Sequence, residues 1–201
     1  MASKPIRCWS TQNPQYIKYH DEEWGAPVHD DRKLFELLTL EGFQAGLTWE
    51  LILKRRTALK EAFADFDPKK VAKYEAARIL EILSNPKVIR NRAKVQATVN
   101  NAQKFIQIQG EFGSFDKFIW KYVNEKPIDH ALKSVMEMPA QTEESIAMSK
   151  ELKRRGFKFV GPTICYAFMQ AVGMVNDHLT SCFRYRQINR QNAASHRHKI
   201  V

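Results

Sequence analysis

The sequence predicts an all-α protein, and three observations support this. Apolar residues recur at helical spacing along most of the 201 residues. Residues that favour helix N-caps stand directly before several of these runs. No stretch alternates apolar and polar residues convincingly enough to indicate a β-strand. With 44 % hydrophobic residues, the chain can bury a core as one compact domain or as two small lobes.

The chain begins with an aromatic arm over residues 7–29, which Pro14, Gly25 and Pro27 mark as ordered but irregular. The arm also contains Cys8, Trp9, Tyr16, Tyr19, His20 and Trp24. A helix follows, capped by Asp30 or Asp31, with a buried apolar stripe over residues 34–40. We expect the arm to fold back onto this helical body.

The middle of the chain contains further helices. Thr48 caps a helix that turns Trp49 inward, Asp67-Pro68 starts another, and residues 74–83 form a short amphipathic one. A long helix is predicted over residues 88–109, and Ser114 caps the helix after it. Residues 124–141 are predicted to form a loop, after which Thr142 caps the helix that leads into a tight turn.

That turn opens the stretch around which the chain is organised, GFKFVGPTICYAFMQAVGMVNDHLTSC at residues 156–182. Gly156 suits the left-handed residue that ends a helix, and Pro162 suits the first position of the next one. In such a helical hairpin, Gly161 lets backbone approach a phosphate, and Lys158 adds positive charge. An ordinary hairpin with a solvated lysine fits the same pattern, so both interpretations stay open.

The charge of the whole chain favours a polyanionic partner. Its net charge is +10 and its isoelectric point is near 9.6, with the excess spread over several segments. Nucleic acid is the first expectation. The chain has no apolar run of transmembrane length, and its first residues lack the apolar core of a signal peptide. We therefore expect a cytoplasmic, nucleoid-associated protein. The polar and basic tail over residues 185–201 is predicted to be disordered.

Cys8, His20, His178 and Cys182 offer two thiolates and two imidazoles, enough for a closed tetrahedral zinc site. His178 and Cys182 are four residues apart and would lie on one helical face. An odd count of three cysteines argues against a disulfide framework. Alternatively, Cys8 is a loop thiol and His20 a pocket residue with no metal between them. Cys165, amid apolar neighbours, is interpreted as a buried core residue.

Glu41 stands at the end of the apolar stripe, where a carboxylate that faces inward needs a partner. With Tyr19, Trp9, Trp24 and Trp49 it would form a slot with aromatic walls and one hydrogen-bond acceptor. Such a slot suits a flat, cationic base. The alternative is a glutamate that reaches solvent or caps a neighbouring backbone N–H.

Four segments resemble the bacterial 3-methyladenine DNA glycosylase I family: YIKYHDEEWG at 16–25, KLFELLTLEGFQAGLTW at 33–49, IRNRAKVQATVNNA at 89–102, and the whole of 156–182. The resemblance runs from about residue 7 to residue 184. It implies a two-lobed helix–hairpin–helix glycosylase fold in residues 1–184. It also implies one structural zinc ion per chain, bound by Cys8, His20, His178 and Cys182, that ties the N-terminal arm to the C-terminal segment.

The same resemblance implies that the protein hydrolyses the N-glycosidic bond of N3-methyladenine in alkylated double-stranded DNA, as a monomer. The implied roles are catalysis for Glu41 and Tyr19, base binding for Trp49, Trp9 and Trp24, and DNA binding for Lys158, Val160, Gly161 and Thr163. Two positions depart from the family pattern. Cys8 and Trp9 are adjacent rather than separated by one residue, and Phe43 stands where a glutamine is familiar.

Related enzymes that cut the strand use a lysine just after the hairpin glycine to form a Schiff base with the sugar. Here Pro162, Thr163 and Ile164 follow Gly161, so we expect a monofunctional enzyme. A role for Asp177 is left open between a helix end and support of the metal ligands. The competing interpretation is a non-catalytic helix–hairpin–helix protein that binds DNA and whose aromatic cluster is core.

Overall fold

A computed structural model describes residues 5–197. The helices of this part are α1 Pro14–Glu22, α2 Asp31–Gln44, α3 Trp49–Ala62, α4 Pro68–Val71, α5 Ala76–Ser84, α6 Arg92–Phe112, α7 Phe115–Trp120, α8 Glu143–Arg154, α9 Pro162–Ala171 and α10 Phe183–Arg197. Short 3-10 turns lie at Ala64–Phe66, Lys121–Val123 and Val135–Glu137. The prediction of a helical protein is confirmed.

The predicted helix starts are confirmed where a capping residue marks them. Asp30, and not Asp31, caps α2 by accepting from the backbone N–H of Lys33 at 2.8 Å. Thr48, Ser114 and Thr142 cap α3, α7 and α8 in the same way. The long helix begins later than its apolar pattern suggests, because Asn91 caps it. Apolar residues of the preceding turn continue the pattern but not the helix.

The aromatic arm is more regular than the sequence predicts. Pro14 is the first residue of α1 rather than a helix breaker, and the side chain of Asn13 accepts from the backbone N–H of Gln15. After α1 the arm runs beside the end of α9, where Val28 N–H donates to the carbonyl of Val172 at 3.0 Å. The arm therefore does fold back onto the body.

The structure contains two very short strands that the sequence analysis did not predict. β1, Ile128–Asp129, pairs in parallel with β2, Val175–Asn176. Two residues are too few to show an alternating pattern, so no periodicity could have revealed them. They join the loop before α8 to the segment after α9.

The prediction of a disordered tail is wrong for the described residues that it covers. Residues 185–197 continue α10, and the rest of the tail lies outside the described residues. Ile188 is fully buried, and both Tyr185 and Asn189 donate to the Oδ2 atom of Asp129 at 2.9 Å. One apolar anchor and two hydrogen bonds thus hold a segment whose composition alone suggests disorder.

At the centre of the fold, α2 packs against α3, α6, α7 and α9. The C-terminal end of α2 is held by Lys94 on α6, whose Nζ donates to the carbonyls of Phe43 and Ala45 at 2.7 and 2.6 Å. A cation at this end of a helix also compensates the helix dipole. The final turn of α2, which carries Glu41, is fixed as a result. No helix within residues 5–197 is long and apolar enough to cross a membrane.

Candidate active site

A cavity of about 260 Å³ lies between the arm, α2, α3, α9 and the turn Val135–Glu137. Its aromatic walls are Trp9, Tyr16, Tyr19, Trp24 and Trp49, and Glu41 also lines it. The structure therefore brings together all five residues that the sequence places in a pocket. Sequence reasoning did not assign Tyr16, Gln44, Val135, Met138, Ala167 and Gln170 to this wall. These come from elements whose approach no local pattern reveals.

The aromatic rings of the wall pack against each other at their edges. Trp9 and Trp24 meet at 4.9 Å between ring centroids with an interplanar angle of 72°, and Tyr19 meets Trp49 at 5.2 Å and 50°. Such tilted pairs hold each other in place. The adjacency of Cys8 and Trp9 does not keep Trp9 out of the cavity.

Glu41 supplies the carboxyl group of the cavity, and it is buried without an ion-pair partner among the described residues. Only 4 % of the residue is exposed, and its Oε2 atom has no hydrogen-bond partner among the described residues. Burial raises the pKa of Glu41 to about 8. The indole N–H of Trp49 is likewise buried without a partner in the described part of the chain. Two residues that line the cavity thus carry a buried carboxyl oxygen and a buried indole N–H that no described residue pairs, although buried polar groups ordinarily have a partner.

Tyr19 stands beside Glu41 in the same wall. Its pKa is raised well above the ordinary value, first by burial and then by the nearby carboxyl group of Glu41. The phenol stays protonated, so its hydroxyl is available both to donate and to accept a hydrogen bond.

Phe43 does not belong to this wall. The residue is 1 % exposed, and its ring packs against Phe63 at 5.9 Å between centroids. An aromatic residue at this position therefore fills the core behind α2.

The four metal-ligand candidates converge in one buried cluster, although they come from opposite ends of the chain. Cys8 Sγ lies 3.3 Å from His178 Nδ1, and Cys182 Sγ lies 3.6 Å from His20 Nε2 and 3.7 Å from His178 Nδ1. All four ligand atoms lie within 4.8 Å of one another. A tetrahedral zinc site with two sulfur and two nitrogen ligands has sulfur–nitrogen edges of about 3.6 Å. The donor set and its spacing fit zinc.

Hydrogen bonds on the far side of each imidazole support this fit. His20 Nδ1 lies 2.8 Å from Asp21 Oδ1, and Asp21 is held by a forked contact from Arg7. His178 Nε2 lies 2.9 Å from the carbonyl of Trp24. In each ring, the nitrogen away from the cluster therefore takes the proton, and the nitrogen towards it presents a lone pair. Metal-binding histidines need this tautomer.

Each thiol of the cluster affects the pKa of the other. The proximity of Cys182 raises the pKa of Cys8, and the proximity of Cys8, together with contacts from His178 and His20, lowers the pKa of Cys182. The segment that carries His178 and Cys182 is a loop between β2 and α10, so the predicted shared helical face is wrong. Cys165 is buried in α9, as predicted, and its thiol contacts the carbonyl of Val160.

The helical hairpin is formed by α8, residues 155–161 and α9. Gly156 has a φ of +88°, as expected for the residue that ends a helix, and Pro162 is the first residue of α9. Asn101 on α6 clamps the turn, because its side chain donates to the carbonyl of Lys158 and accepts from the N–H of Lys158, both at 2.8 Å. Sequence reasoning missed Asn101, since nothing local links α6 to the turn.

The four predicted DNA-binding residues lie together at this hairpin. Lys158 and Thr163 are exposed, and a side chain at Gly161 would meet open space. Val160 is buried, which leaves only its backbone N–H for an outside ligand. Arg155 instead forms ion pairs with Glu111 and with Glu151, so we assign its charge to the hairpin's own structure.

Asp177 lies outside the set of metal ligands and is fully buried. Its carboxylate contacts His130 Nδ1 at 2.6 Å, accepts from Gln170 Nε2 at 2.7 Å, and accepts from the hydroxyl of Tyr166. Because Gln170 lines the cavity, Asp177 supports the wall of the candidate active site.

A helical hairpin beside an aromatic cavity with a buried carboxyl group defines the class of helix–hairpin–helix proteins with a pocket for a base. Residues 9–185 match the family model of methyladenine glycosylases, and the chain belongs to that family. It is 49 % identical over 177 residues to the DNA-3-methyladenine glycosylase of Haemophilus influenzae. The matched residues make up 88 % of this chain and 96 % of the relative. DNA-3-methyladenine glycosylase 1 of Escherichia coli K12 is 46 % identical over 180 residues, with 89 % and 96 % covered.

The fold of this chain also matches solved structures of 3-methyladenine DNA glycosylases. The fold matches a crystal structure of a 3-methyladenine DNA glycosylase I with a TM-score of 0.86 at 46 % identity, covering 89 % of this chain and 98 % of the other. The 3-methyladenine DNA glycosylase I of Staphylococcus aureus matches with a TM-score of 0.86 at 41 % identity, covering 88 % and 94 %.

Proposed function

We propose that this protein is a DNA-3-methyladenine glycosylase that hydrolyses the bond between deoxyribose and N3-methylated adenine in alkylated DNA. The observation that carries the proposal is the pair of unsatisfied polar atoms in the aromatic cavity, Glu41 Oε2 and Trp49 Nε1. A flat base with both donors and acceptors on its edges satisfies both atoms while it stacks on the rings. Relatives named for this activity span almost the whole chain.

Glu41 favours a cationic base over a neutral one. Methylation at N3 gives adenine a positive charge and makes it a good leaving group, so little protonation is required of the protein. Before a base binds, the raised pKa of about 8 favours the neutral form of Glu41 near pH 7. A cation beside it favours the carboxylate and gains a charge-assisted hydrogen bond. Glu41 and Tyr19 then stabilise the base as the bond breaks, and Trp9, Trp24 and Trp49 hold its faces.

DNA is bound at the hairpin, which shares α9 with the cavity. The N–H groups of the first turn of α9 point away from the helix and are free of intrahelical partners by geometry. Gly161 and the N–H groups of Val160 and Thr163 meet a phosphate, and Lys158 supplies charge. Ala167 and Gln170, farther along α9, line the cavity. The single helix α9 thus connects the bound DNA backbone to the flipped base.

Zinc is the metal that we assign to the buried cluster, with one ion per chain bound by Cys8, His20, His178 and Cys182. Four protein ligands leave no position for a reacting water, so its role is structural. It ties the aromatic arm to the segment before α10. We further propose that residues 1–184 act as one monomeric unit of two helical lobes, on the nucleoid DNA of a bacterial cytoplasm.

Release of free 3-methyladenine from methylated duplex DNA tests the function. The purified protein is incubated with the duplex, and the released base is separated by chromatography. A DNA-binding protein without catalysis would retain the duplex and release no base, which would refute the proposal. Glu41→Gln is the control for a contaminating glycosylase.

Borohydride trapping tests whether the strand stays intact after the base leaves. No lysine follows Gly161 directly, so we expect abasic sites without a covalent protein–DNA adduct. An adduct in good yield that disappears in Lys158→Ala would show that the enzyme also acts on the sugar.

A further inference from the structure

The cavity contains a second polar group whose orientation is set by the protein. Gln170 lines the cavity from α9, and its side-chain Nε2 donates to Asp177 Oδ2 across 2.7 Å. A carboxylate accepts hydrogen bonds and has none to donate. The amide is therefore held with its nitrogen towards Asp177, and its oxygen is the atom that remains for a ligand.

Asp177 is itself fixed in place. The side chain is fully buried, and it also contacts His130 Nδ1 at 2.6 Å and accepts from the hydroxyl of Tyr166. The backbone of Gln170 is anchored too, because its carbonyl accepts from the N–H of Gly25 at 3.1 Å. Contacts from three side chains to one buried carboxylate hold that carboxylate rigidly. The amide of Gln170 is thus pre-oriented before any base enters.

We propose that Gln170 is a specificity-determining residue that accepts a hydrogen bond from the exocyclic amino group of the flipped base, and that Asp177 positions it. This inference rests on the proposed function. Adenine carries an amino group at carbon 6, where guanine carries a carbonyl oxygen. A fixed acceptor opposite this position attracts the amino group and repels the carbonyl. Methylated adenine is held, and methylated guanine is rejected.

Glu41 faces the same cavity but is not held in one orientation, since its buried Oε2 atom has no hydrogen-bond partner among the described residues. Gln170 presents one fixed acceptor, because Asp177 accepts from its side-chain nitrogen.

Single-turnover excision of 3-methyladenine and 3-methylguanine from one methylated duplex tests the proposal. In Gln170→Met, which keeps the length of the side chain but lacks the acceptor, we expect the ratio of the two rates to fall about tenfold, as expected for one lost hydrogen bond. Gln44→Met is the matched control, since Gln44 lines the same cavity from α2. An unchanged ratio in Gln170→Met overturns the proposal.

Asp177→Asn tests the positioning role separately. The new amide can face Gln170 with either end, so the ratio of rates should fall here as well. Tyr166→Phe removes a different donor to Asp177 but keeps the contact between Asp177 and Gln170, so the ratio should fall less than in Asp177→Asn. If Asp177 had a merely structural role, the substitution would lower both excision rates alike, and their ratio would equal that of the parent protein. That result would refute the positioning role.

Binding of the free bases to the parent protein needs no variant. Quenching of tryptophan fluorescence should report tighter binding of 3-methyladenine than of 3-methylguanine, and equal binding would overturn the inference. The proposed function fails separately, if the parent protein releases no 3-methyladenine at all.

Discussion

His178 Nε2 donates to the carbonyl of Trp24 across 2.9 Å, while Nδ1 of the same ring faces the thiols of Cys8 and Cys182. One imidazole thus links the proposed zinc site to an aromatic wall of the cavity. Trp9 adds a second link, because it follows Cys8 directly and its ring meets that of His20 at 4.7 Å. The Cys/His cluster and the aromatic cavity share these parts.

Loss of the metal is therefore expected to disturb the pocket as well as the fold. Protein purified without a tag should contain about one equivalent of zinc by elemental analysis. Cys182→Ser should lose the metal, lower the unfolding temperature on the order of 10 °C and shift the tryptophan emission. Cys165→Ala, at a buried cysteine of α9 outside the cluster, should keep the metal. Metal-free parent protein with unchanged emission and unfolding temperature would contradict both roles.

Glu41→Gln should raise stability in alkaline solution while it lowers excision. Burial raises the folded-state pKa from 4.5 to about 8. Below pH 4.5 both states of the chain hold the proton, and between 4.5 and 8 only the unfolded state releases it, so stability falls as pH rises. The glutamine variant escapes this loss and should be more stable by a few kcal/mol near pH 9, on the order that the shift implies.

Excision by Glu41→Gln should fall about 10- to 100-fold, as expected for a lost charge-assisted hydrogen bond. Thermal unfolding of both proteins from pH 4.5 to 9 measures the first effect, and single-turnover kinetics measure the second. Parallel stability curves would mean that the carboxyl group of Glu41 is not the buried neutral acid described above.

Gly161→Ala should weaken DNA binding without unfolding the protein. An added methyl group there meets no atom within 4 Å, and the φ of −63° suits any residue. We expect affinity for duplex DNA to fall, because the methyl group occupies the space that a phosphate needs. Gly173→Ala is the contrasting control, since its methyl group would lie 2.5 Å from the backbone of Ala26 and should destabilise the fold. Equal DNA affinity of parent and Gly161→Ala, measured by fluorescence anisotropy, would rule out this phosphate contact.

Asn101→Leu should make the hairpin turn less rigid, although Asn101 lies on α6 and outside the hairpin. The substitution leaves the N–H and the carbonyl of Lys158 without their partner, at a cost of roughly 2 kcal/mol. We expect weaker DNA binding with a similar dependence on salt, because the number of phosphates neutralised stays the same. Lys158→Ala should instead reduce that salt slope by about one. An Asn101→Leu protein with parental stability and affinity would show that the clamp is dispensable.

The sequence predicted local structure well wherever one residue type dictates it. Caps at Thr48, Ser114 and Thr142 and the glycine that ends α8 follow from the geometry of helix ends. The tail was mispredicted because a single buried side chain, Ile188, and two hydrogen bonds outweigh a polar composition. Composition reports an average, whereas α10 depends on a few contacts.

Residues of the site could be predicted only where chemistry or family resemblance marked them. Glu41 is conspicuous because a carboxyl group follows an apolar stripe, and Cys8 because thiols bind metals. Gln170, Asp177 and Asn101 are ordinary polar residues on or beside helices. Their functions come from distant partners, such as the 57 residues that separate Asn101 from Lys158. No local pattern records such contacts.

The cluster of Cys8, His20, His178 and Cys182 also limits how early the molecule can be completed during synthesis. Cys8 leaves the ribosome early, but His178 follows it by 170 residues and Cys182 comes later still. The thiol of Cys8 therefore cannot meet its partners until nearly the whole chain has emerged. Completion of the cluster is consequently among the last steps of maturation, and a chain that ends at residue 181 carries every residue that lines the cavity yet lacks Cys182.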